Sequence, residues 1–125
     1  RLSRTHPAYR RQAFDRLRAK YLAHLPVLRQ RPVAFWGAGR KTRLRARNLI
    51  DLGIQPRAWI DIDPKKIGNR IKGVPVHAPG FLRWSAHKTK PFVLVYVTNH
   101  GARELIQAEL DELGYQIAQD FLAVG

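Results

Sequence analysis

A short apolar run that ends in two closely spaced glycines is the feature that most restricts the fold of this chain. The run occupies residues 33–36, and Gly37 and Gly39 follow it directly. Apolar residues then return at helical spacing over residues 46–50, and Gly53 is expected to end that helix. Residues 57–61, whose central residues Ala58, Trp59 and Ile60 are apolar, predict a second buried strand. Because the intervening helix is long enough for a right-handed parallel crossover, the pattern predicts a βαβ unit.

The rest of the chain continues this alternation. Residues 74–76 predict a short edge strand, since the proline within them cannot donate to a ladder, and residues 79–87 predict a short helix. Residues 92–97 are apolar on both faces, as in a central parallel strand. Thr98 or Asn99 is expected to cap a helix, Gly114 to end it, and residues 120–124 to form the last strand. The core stripe of that helix is predicted to be Leu105, Ile106, Leu110 and Leu113.

These elements predict the α/β class and a Rossmann-like doubly wound sheet of about five mainly parallel strands, with an extra N-terminal helix. At 125 residues the chain has the length of one domain. We divide it into a basic amphipathic helix and linker, residues 1–30, and a Rossmann-like domain, residues 31–125.

The N-terminal helix is predicted from Thr5, a candidate N-cap, and Pro7 in the first turn. Its apolar residues at helical spacing are expected to face the core: Tyr9, Ala13, Phe14, Leu17 and Tyr21. The opposite face carries Arg10, Arg11, Arg16, Arg18 and Lys20. We expect this basic face to be solvated or to contact a neighbouring domain.

Positive charge is concentrated in the first half of the chain. Of the net charge of +14, residues 1–57 carry 15 lysines and arginines against two aspartates, whereas the remaining residues are nearly balanced. Such asymmetry favours a polyanionic partner, which includes nucleic acid, anionic lipid and phosphorylated ligands. An acidic neighbouring domain accounts for it equally well.

Several classes of protein are excluded or disfavoured by composition. The absence of cysteine excludes disulfides and thiolate chemistry and fits a reducing compartment. No apolar run approaches the roughly 20 residues of a membrane-spanning helix, and no export signal is seen. We therefore predict a cytoplasmic location. Because the chain also lacks methionine, even at position 1, we expect it to be a fragment of a longer protein.

The glycine turn is the first candidate binding segment. Gly37 permits the tight turn, Ala38 follows it, and Gly39 lets a phosphate approach the amides at the positive end of a helix. Arg40 and Lys41 would add charge-assisted contacts to an anion. Thr42 stands where the dinucleotide fingerprint has its third glycine. The alternative is a turn that only connects a strand to a helix.

Asp61 and Asp63 form the second candidate segment. Asp61 ends the second predicted strand, where an acidic side chain can accept hydrogen bonds from the two ribose hydroxyls of a nucleotide. The alternative is that Asp61 or Asp63 caps the turn beside Pro64. A metal-binding Asp-x-Asp role is not adopted, because the pair lies inside a βαβ unit.

Thr98, Asn99 and His100 form the third segment, directly after the predicted central strand. They could contact a base, a sugar or an acyl group across the switch point, and His100 could exchange a proton. No paired carboxylate or nucleophile accompanies His100, so capping of the following helix is the simpler interpretation. The other histidines, His6, His24, His77 and His87, lack metal-ligand spacing. We therefore predict neither catalytic nor metal-binding residues.

A family resemblance rests on several segments taken together. They are Phe35-Trp36-Gly37-Ala38-Gly39, residues 59–68, residues 71–76 and residues 120–125. This combination resembles the C-terminal Rossmann-like domain of bacterial family 2 glycosyltransferases, and residues 1–7 resemble the junction after their catalytic domain. Residues 61–76 are also similar to the N-terminal nucleotide-sugar-binding domain of bacterial sugar acyltransferases. The resemblance implies membership in a glycan-building or polysaccharide-biosynthesis enzyme.

Three functions follow as hypotheses. The first is an accessory, non-catalytic domain of a glycosyltransferase that binds a nucleotide or nucleotide-sugar, with its own N-terminal catalytic domain as partner. The second is a small NAD- or S-adenosylmethionine-dependent enzyme domain. The third is a non-specific nucleic-acid-binding module, which the assignment of Tyr9, Phe14 and Tyr21 to the core disfavours. The cofactor could be a nucleotide, a nucleotide-sugar or NAD.

Overall fold

The computed structural model describes residues 7–83 and 88–125, apart from the side chains of Ala8 and His100. The helices are α1 (Pro7–Ala23), the single turn α2 (Val27–Gln30), α3 (Arg40–Asp51) and α4 (His100–Glu112). The strands are β1 (Val33–Trp36), β2 (Ala58–Ile60), β3 (Arg70–Ile71), β4 (Val74–His77), β5 (Phe92–Val95) and β6 (Phe121–Ala123). The candidate N-cap Thr5, His6 and His87 lie outside the described residues.

One six-stranded sheet organises the fold. Its strand order is β3-β4-β2-β1-β5-β6, and every neighbouring pair is parallel except β3 and β4. The chain leaves β1 towards β2 on one side and leaves β5 towards β6 on the other. The two crossovers run in opposite directions, and their helices, α3 and α4, pack on opposite faces of the sheet, as right-handed connections require. The Rossmann-like α/β fold predicted from the sequence is confirmed.

Each face of the sheet has its own apolar core. Phe35 and Trp59 face α3 and the N-terminal helices, where Leu22 and Leu49 cover them. The other face carries a second cluster, which is Ala34, Trp36, Ile60, Val93 and Val95 under Ile106 and Leu110 of α4. Strands β1, β2 and β5 are buried along their whole length, as expected of a parallel sheet covered on both sides.

The prediction that residues 74–76 form the edge strand is wrong. Strand β4 lies between β2 and the two-residue antiparallel strand β3, which forms the edge instead. The β3–β4 hairpin turns at Lys72 and Gly73, both with positive φ. The predicted helix over residues 79–87 is a short 3₁₀ turn, Pro79–Leu82, and residues 84–87 lie outside the described part.

The predicted core face of α1 is also wrong. Tyr9, Phe14, Leu17 and Tyr21 are all exposed, with Leu17 65% and Tyr21 66% accessible. The buried residues of the helix are Ala19, Leu22 and Ala23, on the face that packs against α3. Small side chains allow the two helices to approach closely, so packing selected the alanine side rather than the aromatic side.

Helix α4 shows a smaller departure of the same kind. Ile106 and Leu110 are buried and Leu113 is partly buried, as predicted, but Leu105 is 70% exposed. Asn99 is the N-cap, and its Oδ1 accepts a hydrogen bond from the N–H of Ala102 at 3.1 Å. In the part of the chain that the structure describes, no helix is long and apolar enough to cross a membrane.

Asp120 holds together the segments that precede three strands, β1, β5 and β6. Its carboxylate lies 3.3 Å from Arg31 Nη2 and 3.2 Å from Lys90 Nζ, and it accepts a hydrogen bond from the N–H of Gln116. Burial raises the pKa of Asp120, but the Gln116 N–H and the two cations outweigh it and hold the pKa below its usual value.

Candidate functional site

Three segments meet where the parallel strands end. The glycine turn follows β1, Asp61 follows β2, and Thr98 lies three residues after the end of β5. Because β1 lies between β2 and β5, their carboxyl ends share one edge of the sheet. Open α/β sheets bind their ligands at the carboxyl ends of the strands, between two strands whose connections lead to opposite faces of the sheet. Here those strands are β1 and β5.

The glycine turn is closed by Thr42. Gly37 has a φ of +125°, and a Cβ on it would lie 3.2 Å from three side-chain atoms of Thr42. The hydroxyl of Thr42 lies 2.7 Å from the carbonyl oxygen of Gly37 and 2.8 Å from that of Gly39. The threonine that replaces the third glycine is therefore a hydrogen-bonding part of the turn, a role that the sequence pattern did not indicate.

Asp61 is brought to the glycine turn. Its Oδ2 accepts a hydrogen bond from the N–H of Ala38 at 2.9 Å, and its Oδ1 accepts one from the N–H of Asp63 at 3.0 Å. One carboxylate thus joins the turn after β1 to the turn after β2. A carboxylate has about four lone-pair sites, so two remain for other donors.

Asp63 is directed into its own loop instead. Its Oδ1 accepts a hydrogen bond from the N–H of Lys65 at 2.9 Å, and its Oδ2 lies 3.1 Å from Lys66 Nζ. The Lys65 N–H and then the Lys66 ammonium lower the pKa of Asp63. These contacts are those of a turn cap beside Pro64.

The amino end of α3 carries the positive groups of the site. No side chain caps it at Gly39, and its first turn has no acidic residue. Arg40 and Lys41 are exposed in that turn. The N–H of Gly37 is already bonded to Ile60, and that of Ala38 to Asp61, so an arriving anion would meet the first amides of the helix.

The third predicted segment is only partly available. Thr98 is exposed, whereas Asn99 uses its Oδ1 to cap α4. His100 begins α4, and its side chain lies outside the described part. Gly125 lies against this segment, since a Cβ on it would overlap the carbonyl of Tyr96 and lie 2.8 Å from Thr98 Cγ2. No hydrogen bond among the described residues connects the segment to the glycine turn.

No metal centre is formed by the described residues: no three or more His, Cys, Asp or Glu side chains come together in ligand geometry. The predicted segments that the structure brings together are the glycine turn, the amino end of α3 and Asp61. In this arrangement the amides and cations can hold an anion, and the Asp61 carboxylate can accept hydrogen bonds from hydroxyl donors.

Comparisons with known proteins give one structural likeness. No family model and no curated protein matches the chain. A matching solved structure is UDP-D-quinovosamine 4-dehydrogenase from Vibrio fischeri, with 26% identity and a TM-score of 0.54. The match covers 66% of this chain and 71% of that one. It agrees with a Rossmann-like domain for this chain.

Proposed function

We propose that this domain binds a nucleotide, either a nucleoside diphosphate or a nucleotide-sugar, at the glycine turn. The amides and cations at Gly39, Arg40 and Lys41 would hold the phosphates, and Asp61 would accept hydrogen bonds from the ribose. The observation that carries the proposal is the hydrogen bond from Ala38 to Asp61, since it holds a carboxylate beside an uncapped helix end.

Electrostatics supports an anionic ligand. The helix dipole places partial positive charge at the amino end of a helix and favours negative charge there, so cations in the first turn are repelled. With no acidic residue in that turn of α3, a phosphate would relieve the repulsion between Arg40, Lys41 and the positive end of the helix. The structural likeness to an enzyme named for a UDP-sugar supports the choice of a nucleotide-sugar.

The role of this domain within a longer protein is proposed from the sequence resemblance. We propose an accessory, non-catalytic domain of a glycosyltransferase, whose catalytic domain would be its partner. The isolated chain should then release no sugar or nucleotide product from an activated sugar donor, measured as nucleoside diphosphate formation. Turnover by the purified chain would contradict an accessory role.

Thermal melts against a panel of ligands test the binding proposal. The panel holds uridine, guanosine and adenine diphosphates, a UDP-sugar, NAD and S-adenosylmethionine. A ligand at about 100 times its dissociation constant should stabilise the fold by roughly 2.7 kcal/mol. Preference for NAD or S-adenosylmethionine would favour the alternative of a cofactor-dependent enzyme domain.

Two variants make the test specific. Gly39→Val should abolish stabilisation by a ligand, since its side chain blocks the approach to the amides. The variant should still fold, because the φ of Gly39 is ordinary and a Cβ there would meet only Thr42 Oγ1 at 3.7 Å. Gly80→Val is the matched control, since a Cβ there meets nothing nearer than Arg83 Nε at 3.9 Å. Asp61→Asn should weaken nucleotides but not inorganic phosphate. A flat response of the wild type to the whole panel would refute the proposal.

The outer face of α1 favours a second candidate function, non-specific binding of single-stranded nucleic acid. Exposed aromatic residues interleaved with cations are the pattern of such surfaces, and the structure exposes Phe14 and Tyr21 among Arg10, Arg16 and Lys20. The core position predicted for these aromatic residues disfavoured this function, and the structure exposes them instead.

Salt-dependent binding of an oligonucleotide tests the second candidate. Binding should weaken steeply as salt rises, and the double variant Phe14→Ser/Tyr21→Ser should bind several-fold more weakly at equal charge. Leu52→Ser, on the exposed end of α3, is the control for loss of a surface apolar side chain. Equal affinity of the double variant and the wild type would refute a stacking surface on α1.

A further inference from the structure

A cleft between α3 and the β3–β4 hairpin gathers cations from two separate parts of the chain, the helix and the hairpin turn. It has a volume of about 270 Å³. Its charged lining residues are Arg40, Arg43, Arg47, Asp51 and Lys72, and Trp59 of β2 also lines it. We name it the α3–hairpin cleft. Only Arg40 is shared with the glycine turn.

The four cations of the α3–hairpin cleft outnumber the one carboxylate that lines it, Asp51. Arg40, Arg43 and Arg47 recur at spacings of three and four residues, which places them on one face of α3. None of them, nor Lys72, has an ion pair within 4.0 Å among the described residues. Like charges at this spacing destabilise a helix, so the cluster is unfavourable without a counter-charge.

Two residues that line the cleft, Arg43 and Trp59, have buried donors that lack acceptors among the described residues. Arg43 Nε and Trp59 Nε1 are both buried, and neither has a hydrogen-bond partner in the described part of the chain. Trp59 is only 2% exposed. A buried donor without a partner costs about 1–3 kcal/mol, so native structures usually supply an acceptor.

From these observations we propose that the α3–hairpin cleft is a binding site for a phosphate-type oxyanion, separate from the nucleotide site at the glycine turn. An oxyanion would supply a negative charge for the cations and acceptor oxygens for the two N–H groups. Arg43 and Arg47 would bind its oxygens from α3 and Lys72 from the hairpin. The volume admits a small phosphorylated group but not a whole dinucleotide.

Nuclear magnetic resonance of the intact 125-residue chain tests the proposal directly. Inorganic pyrophosphate is titrated at constant ionic strength, against chloride, while the Trp59 indole and Arg43 Nε–H signals are followed. Both signals should shift and saturate together. The indole of Trp36, buried on the opposite face of the sheet, is the internal reference. Trp59→Phe assigns the Trp59 signal by removing it.

Variants separate a specific cleft from general attraction to a basic protein. Arg43→Gln and Arg47→Gln should each weaken pyrophosphate at least tenfold, whereas Arg29→Gln, which removes an exposed charge on α2, should leave affinity within twofold. Trp59→Phe should weaken it severalfold, as the loss of one hydrogen bond predicts. Equal effects of Arg43→Gln, Arg47→Gln and Arg29→Gln on pyrophosphate affinity would overturn the proposal. So would a titration of the wild type in which neither the Trp59 nor the Arg43 signal moves.

A last arm distinguishes this site from the proposed nucleotide site. In Gly39→Val, pyrophosphate should still shift the Trp59 and Arg43 signals with unchanged affinity. If the cleft only receives a phosphate of a nucleotide held at the glycine turn, this variant loses both effects, and an independent site is refuted. A failure of the nucleotide panel alone leaves the pyrophosphate titration fully informative.

Discussion

Replacing Thr42 by valine removes one hydroxyl from the glycine turn and leaves the shape of the side chain nearly unchanged. The carbonyl of Gly37 then loses the one hydrogen bond that it has among the described residues. The carbonyl of Gly39 is different, because the N–H of Arg43 also donates to it at 2.9 Å. Gly37 is buried. The cost of the substitution is therefore that of one buried carbonyl without a donor.

That cost is about 1–3 kcal/mol. The entropy of unfolding is roughly 2.1 cal/mol/K per residue, so a domain of this length loses about 4 °C in Tm for each kcal/mol. We expect Thr42→Val to lower Tm by about 4–12 °C on that scale. The measurement is thermal unfolding followed by far-UV circular dichroism, with urea unfolding to give the free energy.

Thr42→Ser is the matched control, because it keeps the hydroxyl and removes the methyl group that Gly37 faces. It should be more stable than Thr42→Val despite its smaller apolar contact. If the serine variant is the less stable of the two, packing rather than the hydrogen bond holds the turn, and the reasoning is wrong.

Three further substitutions test contacts elsewhere in the fold. Asp120→Asn should lower the free energy of unfolding by about 1.5–3 kcal/mol near neutral pH, since it removes a charged acceptor. Because the folded pKa of Asp120 is lowered, its stabilisation is present above the unfolded pKa of about 3.9 and is lost as pH falls through the folded value. Urea unfolding at pH 7 and pH 3 should therefore show a smaller difference from wild type at pH 3, and an equal difference would contradict this. Tyr115→Phe removes a buried hydroxyl that donates to the carbonyl of Pro91 at 2.8 Å and should cost about 1 kcal/mol in the same assay. Arg18→Gln should lower Tm by a few degrees, since Arg18 donates to the carbonyl of Val124 at 3.0 Å, whereas Arg16→Gln on the exposed side of α1 should not change it.

The sequence by itself determined the order of the main elements. A buried parallel strand must be apolar on both faces, so strands were predicted at residues 33–36 and 92–97 without knowledge of their neighbours, and the structure has them at 33–36 and 92–95. The turn needed a residue that tolerates positive φ, which Gly37 supplies at +125°. The cap at Asn99 is equally local, since its carbonyl oxygen reaches an amide three residues on. The turn and the cap depend on contacts within a few residues, and the strands are visible in the sequence as continuous apolar runs.

Only the tertiary structure decided which side of α1 faces the protein. Helical spacing is satisfied both by the aromatic stripe that includes Phe14 and Leu17 and by the stripe that includes Ala19 and Leu22. The sequence cannot weigh one against the other, because the choice depends on how closely α3 approaches. The same holds for Leu105, whose position on α4 is apolar in sequence but lies outside the contact with the sheet.

The functional surfaces required tertiary structure for a related reason. The sequence placed Asp61 at the end of β2, but its hydrogen bond to Ala38 joins residues 23 positions apart and exists only because β1 and β2 are neighbours. The α3–hairpin cleft combines a helix, a strand and a hairpin turn, so no sequence window contains it. Local patterns specify elements through short-range hydrogen bonds and periodicity, whereas a site made by distant residues is specified by the packing of those elements against one another.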